Sequence, residues 1–160
     1  YEGYAPHGIA VLVETATDNN IRTVANVRSY FNKLNGSFGT QGSVEFMFEH
    51  KCNCKIAAEG IDIEELEFAL IDFGIEDVFS DTEEKDGETL NIIMVYGQFS
   101  EFGNISRGLE ELGHEILESG FEYIPTITKD ITEEQVAEVA KLIEKLEEDD
   151  DVQNVYTTMR

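Results

Sequence analysis

The sequence predicts an α+β fold in which a ferredoxin-like domain is inserted into a second α/β domain. Residues 50–127 show the order strand, helix, strand, strand, helix, strand, which is a complete ferredoxin-like unit. The first 49 residues predict only strand, helix, strand, and the last 34 only helix, strand, so neither fragment can bury a core alone. Because the termini of a ferredoxin-like unit emerge together, its insertion causes little strain. We therefore predict a βαβ…αβ host domain at residues 1–49 plus 127–160 and an inserted βαββαβ domain at residues 50–126.

The host domain begins with a glycine- and aromatic-rich segment followed by an apolar run. Residues 1–8 predict an extended arm or turn, and the β-branched run Ile9–Thr15 predicts a strand. Three consecutive capping residues, Asp18, Asn19 and Asn20, then predict a helix over residues 21–34. At 100° per residue, the buried face of this helix comprises Val24, Val27, Phe31 and Leu34.

Glycines shape the segment after this helix. Gly36 predicts the left-handed residue that follows a helix end. The loop over residues 36–43 has a glycine at every third position, but it lacks the Gly-Lys-Ser/Thr ending of a phosphate-binding loop, so we interpret its glycines as turn formers. Val44, Phe46 and Phe48 alternate with Glu45, Met47 and Glu49 and predict a strand over residues 44–49 with both rings on one face.

The inserted domain and the last third of the chain carry clear turn and cap signals. Six elements are predicted in the insert: strand 51–58, helix 63–73, strands 76–80 and 90–96 joined by Lys85-Asp86-Gly87, helix 102–112 capped by Ser100, and strand 116–127. Pro125 places the last of these at a sheet edge or a strand end. Thr132 and Gln135 then form a capping box, followed by a helix with the buried stripe Val136, Val139, Ile143 and Leu146 and by a closing strand over residues 152–159.

The charge of the chain is unevenly distributed. The 160 residues carry a net charge of −23, yet residues 1–55 hold five basic and five acidic residues. Residues 56–160 therefore carry the whole negative charge, which repels a phosphate backbone. No apolar run reaches the roughly 18 residues that a membrane helix needs. Two cysteines are too few for a disulfide scaffold, so we expect a cytoplasmic protein that does not contact membranes.

The candidate nucleic-acid-binding residues lie in the neutral first third. Arg22 stands in the first turn of the predicted helix, where a cation is unfavourable by roughly 0.3–1 kcal/mol unless an anion is near. Together with Asn19 and the free N–H groups of the helix start it predicts an anion site. The alternative is a solvated helix face with a misplaced charge. The full candidate set is Asn19, Arg22, Arg28, Lys33, Lys51 and Lys55.

No pattern indicates a metal, a cofactor or an active site. His50, Cys52 and Cys54 alternate and share a strand face, but the outer two would stand roughly 13 Å apart, too far for one metal ion. We expect the two cysteines to line a core. The carboxylate pairs on the predicted helices are adjacent in sequence and point in different directions, and no nucleophile motif occurs. We therefore expect no metal, no cofactor and no enzymatic activity.

Distinctive blocks of residues occur at both ends of the chain. They are Tyr1-Glu2-Gly3-Tyr4 with Pro6 and Gly8, Thr17-Asp18-Asn19, Arg22-Thr23, Val27-Arg28, Phe31, Lys33, Gly36, Gly39, Gly42-Ser43-Val44, Met47-Phe48-Glu49, Ile124-Pro125 and Asp151-Val152-Gln153-Asn154-Val155-Tyr156. In order and spacing these blocks resemble the YebC/PmpR family, which includes the mitochondrial translational activator of cytochrome c oxidase. The chain departs from the family at Asn20, where a second arginine is usual, and at Ala5 and His7, where glycine is usual.

The resemblance covers the second and third domains of the family and implies that a Lys- and Arg-rich N-terminal helical domain is absent from this sequence. It implies a DNA-binding transcriptional regulator or a ribosome-associated translation factor that relieves stalling. Its expected partners are therefore DNA or ribosomal RNA, and in the second case the ribosome. A third possibility is a small-molecule-sensing regulatory domain, because ferredoxin-like units sometimes bind ligands.

Overall fold

The computed structural model describes residues 1–160 and divides into two compact units. Unit 1 comprises residues 1–49 and 124–160, and unit 2 comprises residues 50–123. The strands, in chain order, are β1 Glu2–Ala5, β2 Ile9–Thr15, β3 Ser37–Phe38, β4 Phe48–Ala57, β5 Ile75–Lys85, β6 Glu88–Gln98, β7 Glu118–Pro125 and β8 Val152–Thr157. The helices are α1 Asn20–Lys33, α2 Ile63–Leu70, α3 Phe102–Glu111 and α4 Glu133–Glu147.

Unit 1 is a four-stranded antiparallel sheet packed against α1 and α4. Its strand order is β3-β1-β2-β8, so β2 from the start of the chain pairs with β8 from its end. β2 is the most buried strand because it is central, and its residues Ile9 to Val13 are all buried. The two helices complete the core with the buried side chains Val27, Phe31, Val139, Leu142 and Leu146.

Two predicted segments of unit 1 differ in the structure. Residues 1–8 were expected to be an extended arm or turn. Pro6–Gly8 do form a 3-10 turn, but the extended residues before it are a strand, β1, which pairs with β2 along its whole length. Residues 44–49 were expected to be a strand, but Glu45–Met47 form a single 3-10 turn that leaves Phe46 72% exposed. The reason is that the Glu2 carboxylate accepts hydrogen bonds from the backbone N–H groups of Val44 and Glu45, which are then not available to a neighbouring strand.

The predictions for α1 need two corrections. The left-handed residue after the helix is Asn35, with φ 62°, and not Gly36. Gly36 is needed for space instead, because a Cβ there would lie 2.7 Å from the carbonyl oxygen of Tyr4. The buried face begins at Thr23 rather than Val24, which is only half-buried, since the Thr23 hydroxyl is satisfied by hydrogen bonds inside the unit.

Unit 2 has the strand order β5-β6-β4-β7, which is the order of a ferredoxin-like sheet. The β5–β6 hairpin closes on the two-residue turn Asp86-Gly87, whose positive φ angles of 54° and 79° suit these two residue types. β7, which contains Pro125, is an edge strand. One face of the sheet packs on α2 and α3 around a core that includes Cys54, Ile56, Leu70, Val95, Ile105 and Leu109.

Helix caps agree with the sequence predictions at one helix and not at another. The capping box of Thr132 and Gln135 at the start of α4 is confirmed. The predicted cap of α3 by Ser100 is wrong, because a 3-10 turn over Phe99–Glu101 runs directly into α3 and no side chain caps it. The α+β fold class predicted from the sequence is confirmed.

Two glycines of α3 provide a matched test of packing in unit 2. A Cβ at Gly108 would lie 2.7 Å from the ring of Phe73, whereas a Cβ at Gly103 would meet nothing within 4 Å. We expect Gly103→Ala to raise the free energy of unfolding by about 0.5–1 kcal/mol, since alanine is the better helix former. We expect Gly108→Ala to lower it by about 1–3 kcal/mol through overpacking. Urea denaturation measures both values, and equal stability of the two variants would contradict the close packing at Phe73.

Candidate nucleic-acid interface

The start of α1 is capped from within the chain. The Asn19 side chain accepts a hydrogen bond from the backbone N–H of Arg22 at 3.1 Å, and the Thr17 hydroxyl accepts one from the N–H of Asn19 at 3.0 Å. Asn19 is therefore the N-cap of a helix that begins at Asn20, one residue earlier than predicted. Its side-chain oxygen is already engaged in this structure, so it is less available to a ligand than the sequence suggested.

Arg22 is held by two carboxylates of the same chain. Its guanidinium donates to both oxygens of Asp151 at 3.0–3.3 Å and to Asp18 at 3.3 Å. The sequence predicted an anion beside this misplaced cation, and the structure supplies one internally. Paired carboxylates raise the pKa of Arg22. A phosphate group could bind Arg22 directly only by competing with Asp151.

Asp151 joins segments that are far apart in sequence. Besides Arg22, its carboxylate accepts a hydrogen bond from the Thr23 hydroxyl at 2.8 Å, and its backbone carbonyl accepts one from the N–H of Ala16 at 2.9 Å. The Thr23 hydroxyl and the Arg22 guanidinium hold the pKa of Asp151 below its ordinary value. The residues of this network are the Thr-Asp-Asn, Arg-Thr and Asp-Val blocks that the sequence analysis singled out separately.

Asp149, in the same loop as Asp151, binds a side chain on α1. The Tyr30 hydroxyl donates to Asp149 at 2.7 Å, and this bond, with burial, raises the pKa of Tyr30 to about 12. Asp149 also accepts a hydrogen bond from the backbone N–H of Asp151 at 2.9 Å. The acidic run of residues 147–151, directly before β8, therefore contributes two residues that anchor α1.

Arg28 and Lys33 are the two candidate cations that no carboxylate pairs with. Both are exposed on α1. The Arg28 guanidinium lies 5.3 Å from the ring centroid of Phe38, a cation–π contact that leaves its hydrogen-bond donors open. These two side chains form the accessible positive surface of α1.

Lys51 and Lys55 lie on β4 of unit 2, and both form ion pairs with carboxylates of that unit. The ammonium of Lys51, which is only 8% exposed, pairs with Glu76. The ammonium of Lys55 lies 2.8 Å from Glu118 and 2.5 Å from Glu83, and the Glu118 hydrogen bond is the main reason that its pKa is raised. Both lysines belong to unit 2 whereas α1 belongs to unit 1, and their role in nucleic-acid binding stays a prediction.

Glu2 is a buried carboxylate of unit 1 that the sequence predictions did not include. Glu2 is 4% exposed and accepts hydrogen bonds from the backbone N–H groups of Gly42, Val44 and Glu45 at 2.5, 2.9 and 2.6 Å. Burial raises the pKa of its carboxyl, but the three N–H groups outweigh burial and hold the pKa below its ordinary value. Nothing in the sequence indicates this role, because the donors are backbone groups some 40 residues away.

The side chains suspected of metal chemistry are separated. Cys52 and Cys54 are buried in unit 2 with free thiols, as expected for core residues. The His50 ring instead stacks between Phe99 and Tyr123, with ring centroids 4.1 and 4.2 Å away. None of the helices combines the length and apolar character needed to cross a membrane.

Unit 2 also has a surface cavity of about 470 Å³ that bears on the small-molecule hypothesis. It is lined by apolar and polar residues, of which Asp81 is the one charged residue: Ala58, Ile61, Ile63, Ser80, Asp81, Thr82, Asn91 and Ile93. This mixed lining does not point to one ligand class.

Comparisons with known proteins give one consistent result. The family model described as TACO1/YebC second and third domain matches residues 1–159. A probable transcriptional regulatory protein of Flavobacterium johnsoniae is 64% identical over all 160 residues, which cover 64% of that protein. A protein with the same description from Porphyromonas gingivalis is 52% identical, and the chain covers 63% of it.

Among solved structures, a conserved hypothetical protein from Aquifex aeolicus matches with a TM-score of 0.72 and 35% identity. The match covers 100% of this chain and 63% of that one. The chain thus spans slightly less than two thirds of the length of the relatives it matches.

The Glu2 contacts predict a specific pH dependence of stability. Glu2→Gln should lower the free energy of unfolding by about 1–3 kcal/mol at neutral pH, because the amide NH₂ cannot accept from the surrounding N–H donors. Since the pKa of Glu2 is lowered on folding, its stabilisation is present above the ordinary pKa of 4.5 and lost as the pH falls through the folded value. The stability gap between wild type and variant should therefore narrow below pH 4.5. Urea denaturation over this pH range measures the gap.

Glu144→Gln is the matched control for this experiment, because Glu144 is exposed on α4. Its stability should remain within about 0.5 kcal/mol of wild type at every pH. A gap for Glu2→Gln that stays constant down to pH 3 would show that the ionised carboxylate does not contribute through these hydrogen bonds.

Proposed function

The chain belongs to the TACO1/YebC family, and we propose that it forms the second and third domains of a DNA-binding transcriptional regulator whose main basic nucleic-acid-binding domain lies outside this chain. Two facts support this proposal. The relatives are described as probable transcriptional regulatory proteins, and they extend well beyond the matched region. The charge of −23 requires that most phosphate contacts come from elsewhere in the protein.

The observation that carries the proposal is the distribution of paired and open cations. Of the candidate basic residues, Arg22, Lys51 and Lys55 are paired with carboxylates, whereas Arg28 and Lys33 are open on α1. Two open cations on one helix can each contact a phosphate group but cannot hold a duplex by themselves. This chain therefore orients the protein on nucleic acid and supplies an auxiliary contact through α1.

We further propose that the chain has no enzymatic role. The polar network of Arg22, Thr23 and Asp151 bonds these groups to one another while joining three segments of unit 1. The network stabilises the start of α1.

The buried free thiols of unit 2 fit a reducing cytoplasm, which we propose as the location of the protein.

A ribosome-associated translation factor is the second candidate function. The same observation supports it, because Arg28 and Lys33 would contact the phosphates of ribosomal RNA as well as those of DNA. The two candidates differ in what the longer protein binds. Co-sedimentation with ribosomes in the absence of duplex-DNA binding would select the translation factor, and the reverse result would select the transcriptional regulator.

The charge distribution predicts that the 160-residue chain binds duplex DNA weakly. At about 0.15 M salt we expect dissociation constants no tighter than the 10⁻⁴–10⁻⁶ M range of non-specific binders. Fluorescence anisotropy with a labelled duplex measures the affinity. Tight binding with a steep salt dependence would show that the chain contains a positive surface of its own and would overturn the auxiliary role.

The α1 contact predicts the effect of a double substitution in the longer protein. Arg28→Ala with Lys33→Ala should weaken nucleic-acid binding and reduce the slope of log K against log salt by about 2, since two phosphate contacts are lost. Lys85→Ala with Arg107→Ala in unit 2 removes the same charge far from α1 in sequence and should leave the slope unchanged. An equal loss in both variants would indicate general electrostatics rather than a contact through α1.

A further inference from the structure

The sheet of unit 2 has one face covered by helices and one that faces away from them. Cys54, Val95 and Val78 are aligned across β4, β6 and β5 and are buried in the core beneath α2 and α3. The adjacent rows point to the opposite side, which we call the outer face. Two of these rows are Asn53, Tyr96, Asp77 and Lys55, Met94, Phe79.

The outer face carries more carboxylates than cations. Its two lysines form ion pairs: Lys51 pairs with Glu76, and Lys55 pairs with Glu83 and Glu118. The Glu122 carboxylate accepts a hydrogen bond from the Asn53 amide at 3.2 Å. Asp77 and Asp81, the outward positions of β5 on either side of Phe79, are exposed and pair with no cation. Six carboxylates against two ammonium groups leave this face net negative, so it repels phosphates and attracts positively charged groups.

An aromatic pair lies among these carboxylates. The rings of Phe79 and Tyr96 stack with centroids 5.6 Å apart and an angle of 16° between their planes. Phe79 is 37% exposed, so one ring presents part of its surface to solvent directly between Asp77 and Asp81 on β5. An exposed aromatic ring flanked by carboxylates is a favourable site for a guanidinium group, which stacks on the ring and donates to the carboxylates at the same time.

We propose that the outer face of unit 2 binds an arginine-rich segment of a protein partner. The charge of the face selects a cationic partner, and the Phe79–Tyr96 pair selects arginine over lysine, because an ammonium group has neither a planar stacking surface nor a forked donor geometry. The net charge of unit 2 as a whole also favours a cationic partner, since residues 50–123 contain four basic and nineteen acidic residues. This surface belongs to unit 2, whereas α1 belongs to unit 1, and the proposal does not depend on the proposed function in gene regulation.

The experiment measures the binding of two labelled peptides, nona-arginine and nona-lysine, to the 160-residue chain by fluorescence anisotropy at about 0.15 M salt. We expect nona-arginine to bind more tightly than nona-lysine by a factor of about 3 or more. Asp77→Asn with Asp81→Asn should weaken nona-arginine binding by about tenfold, because two exposed ion pairs are lost. Phe79→Leu should abolish most of the preference for arginine while leaving nona-lysine binding nearly unchanged.

Glu64→Gln with Glu67→Gln is the matched control. It removes the same charge from exposed positions of α2, which packs on the other face of the sheet. We expect less than a twofold change in this variant. Equal weakening in both double variants, equal binding of the two peptides by wild type, or no binding by wild type would each overturn the proposal. Unchanged thermal unfolding of each variant verifies that the fold is intact.

Discussion

The pairing of β2 with β8 is the interaction on which the rest of unit 1 depends. These strands come from the two separate parts of the chain that flank unit 2, and neither part has enough apolar surface to fold alone. Their antiparallel register places α1 and α4 on one shared core, with Phe31 from the first part and Leu142 from the last both fully buried. Asp151 reinforces the pairing at one end, since it binds Thr23 and Arg22 of α1 and the backbone of Ala16.

The fold gives several basic residues a structural role that the sequence did not indicate. On the sequence, Arg22 is a cation without an explanation, and an external anion is the natural inference. In the fold, Asp151 occupies the position that a phosphate would take, so Arg22 contributes to the junction of the two chain parts. The lysines of β4 are neutralised in the same way by carboxylates of β5 and β7. The open positive charge of α1 is therefore confined to Arg28 and Lys33, while unit 2 presents carboxylates around an aromatic pair.

Local sequence signals predicted most elements because their causes are local. The Thr132 capping box, the Asp86-Gly87 turn and the edge position of a strand with Pro125 each depend on residues within a few positions. The failures have non-local causes. Residues 44–49 have the alternation of a strand, but Glu2 binds their N–H groups and a 3-10 turn results. Gly36 resembles a helix stop, but the close approach of the Tyr4 carbonyl is what requires glycine there.

The sequence by itself determined the α+β class, the order of the elements of unit 2 and the uneven distribution of charge, because these follow from periodicity, capping and composition along the chain. Only the tertiary structure decided which charges remain available to a partner. Asp151 and Arg22 are 129 positions apart, and Lys55 and Glu118 are 63 apart. Ion pairs between residues so distant in sequence arise from strand pairing and helix packing, and no local sequence pattern indicates them. For the same reason the buried Glu2 carboxylate, bound entirely by backbone N–H groups, could be recognised only once the chain was folded.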